Sequence, residues 1–190
     1  MNIVNFKNHF LISMPNLSNT FFDRSVIYIY QDDYYGINGV IINKKIKNLK
    51  IENFYKKIKI NFYLKKKNNI NKSIILGGPL ENNKGLILHS LKKNFLSDIY
   101  VSSSISITLS KDILESLKEK DLQNTLIILG HCSWKKKQLE REISNNDWLI
   151  SPSNKKILFH TKIKNKWKNS IKLLGIKNIN QLNLTYGQII

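Results

Sequence analysis

Gly130–Trp148 reads GHCSWKKKQLEREISNNDW and predicts a strand, a tight turn and a helix in direct succession. The apolar run Thr125–Leu129 predicts the strand, which we expect to end at Gly130. Ser133 is placed to cap the helix, which we expect over 134–145. The rest of the chain is rich in Lys, Asn and Ile, so this segment carries more information than any other.

Outward from this segment, short apolar or β-branched runs predict further strands. They are Phe10–Met14, Val26–Tyr30, Gly39–Asn43, Ser73–Leu76, Gly85–His89, Ser104–Leu109 and Trp148–Ile150. Gln31–Asn38 is polar and contains Gly36, so we expect a hairpin with a longer loop there. Polar and apolar residues alternate in Ser104–Leu109, which predicts one solvated face.

Apolar residues at helical spacing predict helices elsewhere in the chain. They are Leu49–Ile60, Lys111–Lys120 after the cap Ser110, and Lys162–Leu174 before the stop Gly175. Strands in hairpin-like runs, with helices mainly in the second half, favour the α+β class with a mixed, largely antiparallel sheet. We expect a single domain over residues 1–190, with roughly the last 15 residues irregular.

The chain is strongly basic, with a formal charge of +18. Such a charge is typical of proteins that bind nucleic acid or a membrane surface. However, of the 31 basic residues only Arg24 and Arg141 are arginines, and the chain contains no alanine. A selected nucleic-acid surface would keep arginines for bidentate contacts. We therefore favour compositional drift over selection as the origin of the charge.

The expected location is the cytoplasm. No apolar run approaches the ~18 residues of a membrane span, and Met1–Met14 lacks the features of a signal peptide. Cys132 is the only cysteine, which excludes a disulfide within the chain and suits a reducing compartment.

His131 and Cys132 suggest a nucleophile with its base, but adjacent residues of an extended segment point to opposite sides. The four histidines lack the spacing of metal ligands, so we predict no metal site. His89 closes a predicted strand, and we expect it to make a structural hydrogen bond.

Trp134, Gln138 and Glu142 are spaced by four residues and would align on one side of the predicted helix. They could line a groove with a stacking surface, an amide and a carboxylate. Alternatively, Trp134 packs in the core, Gln138 bonds the backbone and Glu142 is solvated.

Three further elements allow a functional and a structural interpretation. Gly77, Gly78 and Pro79 follow a strand and could bring backbone N–H groups to an anion, or form a bend that needs a positive φ. Arg24 could bind a ligand anion or make a structural salt bridge. Trp167 lies on a basic helix that faces either a membrane surface or, more commonly, the core.

These motifs, in this order, resemble the bacterial YqgE/AlgH family. The resemblance runs from His9 to Gly175 and is carried by four blocks. They are His9–Pro15; Phe22, Arg24–Val26, Gly36, Gly39 and Asn43; Leu76–Pro79, Gly85 and His89; and Gly130–Trp148 with Pro152. The chain departs from the family pattern at Asp32, Lys45, His131 and Cys132, which weakens a catalytic role for the last two.

The resemblance implies an α+β fold with a curled, mixed sheet flanked by helices, no established enzyme activity and no cofactor. Some members are labelled as regulators of alginate production, although this sequence contains no helix-turn-helix or zinc-finger pattern. The leading hypothesis is a non-catalytic binding or regulatory protein whose partner is a small ligand, a protein or nucleic acid. Arg24, Gly77–Pro79 and the Trp134–Gln138–Glu142 row would then meet in one groove. The alternatives are a nucleic-acid-binding regulator and an enzyme that uses His89, His131 or Cys132.

Overall fold

The computed structural model describes residues 5–46, 73–90, 97–109 and 123–176. Within these ranges the strands are β1 His9–Ser13, β2 Val26–Asp33, β3 Gly36–Ile41, β4 Ile75–Leu76, β5 Leu80–Ser90, β6 Ile99–Ser102, β7 Ile105–Thr108, β8 Thr125–Trp134 and β9 Trp148–Pro152. The helices are α1 Lys136–Ser144 and α2 Ile163–Leu173, with a 3₁₀ turn at Pro15–Leu17 and a π-helical turn at Lys156–His160. The predicted helices Leu49–Ile60 and Lys111–Lys120 lie outside the described residues, as does most of the C-terminal segment expected to be irregular.

The strands form one open sheet in the order β6-β7-β5-β8-β3-β2-β1-β9, in which all neighbours are antiparallel. The short strand β4 pairs with β8 in parallel. This arrangement confirms the predicted α+β class with a mixed, largely antiparallel sheet.

The sheet buries both of its faces, because alternate residues of each strand point to opposite sides. Phe10 and Tyr28 belong to a core cluster beneath α2 and the π-helical turn. Leu11, Ile27 and Leu139 belong to a second cluster beneath α1. The helices therefore cover opposite faces of the sheet.

The hairpin between β2 and β3 is tighter than the polar sequence indicated. Pairing continues to Asp33 and Gly36, so the connection is only Tyr34–Tyr35, and the predicted longer loop is wrong. Polar residues are tolerated in these strands because they bond each other: Asn38 Nδ2 donates to Gln31 Oε1 over 3.0 Å.

The boundary between β8 and α1 also differs from the prediction. β8 does not end at Gly130, which adopts a φ of 76°, but continues to Trp134 by pairing with β3. Because Ser133 is engaged in this pairing, it does not cap a helix; α1 begins later, with Lys135 at its N-cap and no side-chain cap. Cross-strand pairing has overridden the local capping signal.

At the other edge of the sheet, β7 is buried at all four positions. The predicted solvated face of Ser104–Leu109 is therefore wrong. The strand β6, which the sequence analysis did not predict, pairs with β7 and covers its outer edge.

Candidate functional site

The residues singled out in the sequence lie in three separate environments. Gly77, Gly78 and Gly130 meet where β4 joins β8. Trp134 of β8 contacts Glu142 of α1, and Arg24 and Asn43 lie beside α2. His89 stands apart from all three, in β5.

Gly77 and Gly78 are required by close packing. A Cβ atom on Gly77 would collide with the carbonyl of Gly130, and one on Gly78 with the carbonyl of His131. Neither glycine has a positive φ, so the expected bend with φ > 0 is wrong and lack of space is the reason. Pro79 is exposed and leads into β5.

Glu142 accepts hydrogen bonds from three side chains. Its Oε2 accepts from the indole Nε1 atoms of Trp134 and Trp148, each over 2.9 Å. Its Oε1 accepts from Gln138 Nε2 over 2.9 Å. Trp134 lies on β8 rather than on the helix, so the predicted helical row is wrong, yet its indole still reaches the carboxylate. These bonds tie β8, α1 and β9 together.

The residues considered for catalysis are engaged in structural contacts. Cys132 is buried, burial raises the pKa of its thiol to about 12, and Sγ–H donates to Gly77 O over 3.4 Å. His131 instead lies 3.8 Å from Glu81 Oε2 through its Nδ1. The ring of His89 is hydrogen-bonded at both nitrogens, through Nδ1 to Ser90 O over 3.1 Å and through Nε2 to Thr108 Oγ1 over 3.0 Å. These contacts are those expected of a structural histidine.

Asn43 fixes the backbone around Arg24. Asn43 Nδ2 donates to Arg24 O over 2.7 Å, and Val26 N donates to Asn43 Oδ1 over 2.8 Å. Arg24 itself has a φ of 47°, which is unfavourable for a residue with a Cβ. The asparagine thereby holds an arginine in a strained position at the start of β2.

Arg24 and α2 are in direct contact. The Arg24 guanidinium carbon lies 5.9 Å from the ring centroid of Trp167, within cation–π range. Trp167 Nε1 donates to Ser13 O over 3.0 Å, and Ile171 is buried. The helix therefore faces the core, which confirms the commoner of the two interpretations. None of the helices in the described ranges is long and apolar enough to cross a membrane.

An open cavity of about 600 Å³ lies between the Arg24 loop and α2. We call it the Arg24 cleft, and its lining residues are Asp23, Arg24, Asn43, Lys44, Ile163, Lys164, Trp167 and Lys168. Four of these residues are cations and one is a carboxylate. Burial lowers the pKa of Lys44, whereas the charge of Asp23 acts in the opposite direction. Such a surface is suited to an anion.

Sequence reasoning found Arg24 and Asn43 but missed the lysines of the cleft. Lys164 and Lys168 are spaced by four residues on α2, on either side of Trp167, so they share a face of that helix. This spacing is visible in the sequence and could have indicated a basic face of α2. That Lys164 and Lys168 lie near Arg24 is shown only by the three-dimensional structure. Among the residues that the structure describes, no group of three or more His, Cys, Asp and Glu could hold a metal.

Comparisons with known proteins identify relatives along nearly the whole chain. Residues 10–179 match the model of the DUF179 family, described as AlgH-like. A UPF0301 protein of Buchnera aphidicola is 46% identical, over 97% of this chain and 98% of its own length. The UPF0301 protein YqgE of Escherichia coli is 42% identical, over 91% of this chain and 94% of its own length.

Solved structures agree with the fold. The solution structure of the AlgH protein from Pseudomonas aeruginosa matches with a TM-score of 0.71 and 25% identity, over 100% of both chains. A crystal structure of a protein from Corynebacterium diphtheriae has a TM-score of 0.71 at 16% identity, over 96% of this chain and 93% of its own, which supports the fold alone.

Proposed function

The chain belongs to the DUF179 (AlgH-like) family, and from this premise we propose that it acts by binding rather than by catalysis. The proposed function is that of a cytoplasmic regulatory protein that binds a small anionic ligand in the Arg24 cleft. The names of the relatives quoted above state no activity, so the proposal depends on the geometry of the site.

The arrangement of charge in the Arg24 cleft is the observation that carries the proposal. Arg24, Lys44, Lys164 and Lys168 line one cavity, and Asp23 is the only carboxylate among its described lining residues. Arg24 presents a planar fork that matches carboxylate and phosphate groups. Trp167 supplies an aromatic surface beside it. Together these groups favour a phosphate-bearing or carboxylate-bearing small molecule.

The position of the cleft suggests how binding could regulate. The cleft lies between α2 and the segments that precede β2 and follow β3. Trp167 of α2 also bonds Ser13 of β1. A ligand held by Arg24 on one side and by Lys164 and Lys168 on the other would fix α2 against the sheet. Binding would then stabilise the docked helix by mass action.

The state of Cys132, His131 and His89 supports binding over catalysis. A thiol whose pKa is raised to about 12 is a poor source of thiolate at neutral pH. The ring of His89 is held between Ser90 and Thr108. In a broad hydrolase and transferase screen we expect no activity that depends on these residues. An activity abolished by Cys132→Ala or His89→Ala would favour the enzyme alternative.

The binding proposal is tested by titrating the protein with phosphate, pyrophosphate and ATP while following the Trp167 indole signal by NMR. We expect saturable binding of at least one anion. The double variant Arg24→Gln/Lys168→Ala should weaken this binding tenfold or more, since hydrogen bonds to charged groups contribute about 1.5–3 kcal/mol.

Lys172→Ala is the matched control, because Lys172 is exposed on the same helix but does not line the cleft. It should leave the affinity unchanged. Absence of saturation with every anion, or an equal loss in Lys172→Ala, would contradict the proposal.

A second candidate function is nucleic-acid binding in a regulatory role. The net charge of +18 favours it, because phosphate contacts with lysines provide affinity for nucleic acid irrespective of sequence. Its test is the salt dependence of binding to duplex and single-stranded DNA. A flat response to salt would argue against this function.

A further inference from the structure

Two tyrosines stand exposed at the end of the β2–β3 hairpin. Tyr34 is 97% exposed and Tyr35 is 92% exposed. Their ring centroids are 5.7 Å apart and the rings are inclined by 84°. Large aromatic side chains are normally covered, so a pair that extends fully into solvent is available to stack on a partner.

The backbone of this hairpin tip is well fixed. Tyr35 N donates to Asp33 Oδ1 over 2.8 Å, and Gln31 Nε2 donates to Asp33 Oδ2 over 2.6 Å. Gly36 follows the tyrosines with a φ of 141°, and a Cβ there would lie 2.9 Å from Trp134 O. The rings are thus carried on an ordered turn, which reduces the entropy lost on binding.

Lysines lie beside the tyrosine pair. Ile37 pairs with Trp134, so the residues that follow Trp134, Lys135–Lys137, pass next to the turn. Lys136 is engaged with the buried Asp32, whose Oδ1 lies 3.2 Å from its Nζ. The exposed residues Lys135 and Lys137 remain available at this surface.

Asp33 contributes a carboxylate to the same surface, next to Asp32, which is paired with Lys136. The Asp33 carboxylate is held by Gln31 and by the turn backbone, which lowers its pKa, and the charge of Lys7 acts in the same direction. Lys7 thus offsets the negative charge of Asp33. The net charge around the two rings is therefore positive.

We propose that Tyr34, Tyr35, Lys135 and Lys137 form a binding surface for single-stranded nucleic acid. Unpaired bases would stack on the tyrosine rings, and the neighbouring phosphates would contact the two lysines. A single strand is favoured over a duplex because bases within a duplex are stacked on each other and do not expose their faces. This inference rests on the second candidate function and is independent of the Arg24 cleft.

The test uses fluorescence polarisation with a labelled oligothymidine of about 20 nucleotides, long enough for a site of ~4–16 nucleotides. Tyr34→Ala/Tyr35→Ala should weaken binding about tenfold or more, since the loss of each base stack reduces affinity several-fold. Tyr34→Phe/Tyr35→Phe keeps both rings and should bind nearly as well as the wild type. The melting temperature of each variant should be unchanged, because both side chains are in solvent.

Tyr100→Ala is the matched control for the aromatic rings. Tyr100 is 59% exposed but lies on the edge strand β6, outside the β2–β3 turn that carries the tyrosine pair. It should bind like the wild type.

The lysines are tested through the salt dependence. Lys135→Ala/Lys137→Ala should lower the slope of log affinity against log salt by about 1.4, since each phosphate contact contributes about 0.7 for a single strand. Lys164→Ala/Lys168→Ala removes the same charge from the Arg24 cleft and should leave the slope unchanged.

The outcomes separate this inference from the function on which it rests. If the oligonucleotide binds and the tyrosine variants retain full affinity, the inference is wrong while nucleic-acid binding stands; a loss confined to the cleft lysines would place the nucleic acid there. If neither single strand nor duplex binds at low salt, both fail. If neither nucleic acid binds but an apolar peptide does so through the two tyrosines, the surface belongs to a protein partner and the inference is overturned.

Discussion

At the scale of single residues, Glu142 shows how one carboxylate holds several elements. Both indole donors come from buried tryptophans, Trp134 on β8 and Trp148 on β9. Their rings are 6.2 Å apart and perpendicular within two degrees, at 88°. Phe22 packs edge-on against Trp148. A change at Glu142 should therefore be felt in two strands and in α1.

Replacing Glu142 tests this role. Glu142→Ala leaves two part-buried indole N–H groups without their acceptor. Because a buried unpaired donor costs about 1–3 kcal/mol, we expect the free energy of unfolding to fall by about 2–5 kcal/mol. Glu142→Gln keeps one oxygen acceptor and should lose about 1 kcal/mol. Urea unfolding measures both values.

Glu140→Ala provides the control, because Glu140 is exposed on the same helix and its loss should change stability by no more than about 0.5 kcal/mol. Equal effects of Glu140→Ala and Glu142→Ala would show that the carboxylate does not hold these elements together.

The buried thiol of Cys132 should lower the free energy of unfolding at alkaline pH. Burial raises the pKa of its thiol from 9.0 to about 12, so the unfolded chain loses this proton first as the pH rises. The stabilising contribution is complete below pH 9 and is lost between pH 9 and pH 12. Tyr30, whose pKa is raised from 10.0 to about 12, adds a similar loss only above pH 10.

Unfolding free energies measured between about pH 7 and pH 10 should therefore decline above pH 9, by up to about 1.4 kcal/mol per pH unit for one group. In Cys132→Ala this part of the decline should disappear. An identical pH profile in the variant would show that the thiol ionises as readily in the folded state as in the unfolded chain.

At the scale of elements, α1 and α2 both begin without a side-chain cap. The N-cap residues are Lys135 for α1 and Lys162 for α2, with ψ angles of 146° and 136°. These extended conformations suit a capping serine. Lys135, the uncapped N-cap residue of α1, also belongs to the proposed nucleic-acid surface.

Lys135→Ser should therefore have opposite effects on stability and on binding. We expect a gain of about 0.5–1 kcal/mol from the new cap, together with weaker oligonucleotide binding from the lost phosphate contact. Lys162→Ser should give a similar gain with binding unchanged. The comparison requires thermal unfolding and fluorescence polarisation on both variants, and tighter binding by Lys135→Ser would contradict the prediction.

The sequence predicts the elements whose formation depends mainly on the spacing and type of neighbouring residues. α2 follows from the helical spacing of Ile163, Trp167 and Ile171, and β2 from a β-branched and aromatic run. The start of α1 could not be predicted, because pairing of Ser133 with Asn38 on β3 extends β8 past its capping signal. The prediction of a longer hairpin loop was wrong for the same reason. Polar side chains of β2 and β3 form hydrogen bonds with each other across the strands instead of with solvent.

At the scale of the whole molecule, the charge of +18 should destabilise the folded chain through self-repulsion. Within the described ranges, close ion pairs join Lys84 to Glu81 and Lys136 to Asp32. Because cations greatly outnumber such pairs, screening by salt should weaken more repulsions than attractions. We expect the melting temperature to rise by several degrees between about 0.02 M and 0.3 M NaCl. Differential scanning calorimetry measures this change, and a melting temperature that falls with salt would contradict it.

The candidate site was only partly predictable because it is assembled by long-range packing. Arg24 and Asn43 could each be recognised in the sequence. Their contact could not, because the β2–β3 hairpin brings them together. Lys164 and Lys168 come from the distant helix α2. The expected single groove for Arg24, the glycine turn and Glu142 is a hypothesis about three-dimensional proximity, and of those residues the cavity contains Arg24 alone.

Gly77 has a further consequence for the dynamics of the sheet. Its N–H donates to Leu129 O over 2.7 Å and its carbonyl accepts from Ile41 N over 2.7 Å, so one residue links β8 to the end of β3. Opening either strand alone would break a bond of the other, and the two should open together as one cooperative unit. The amide protons of Ile41 and Gly77 are therefore expected to exchange with solvent at the same slow rate.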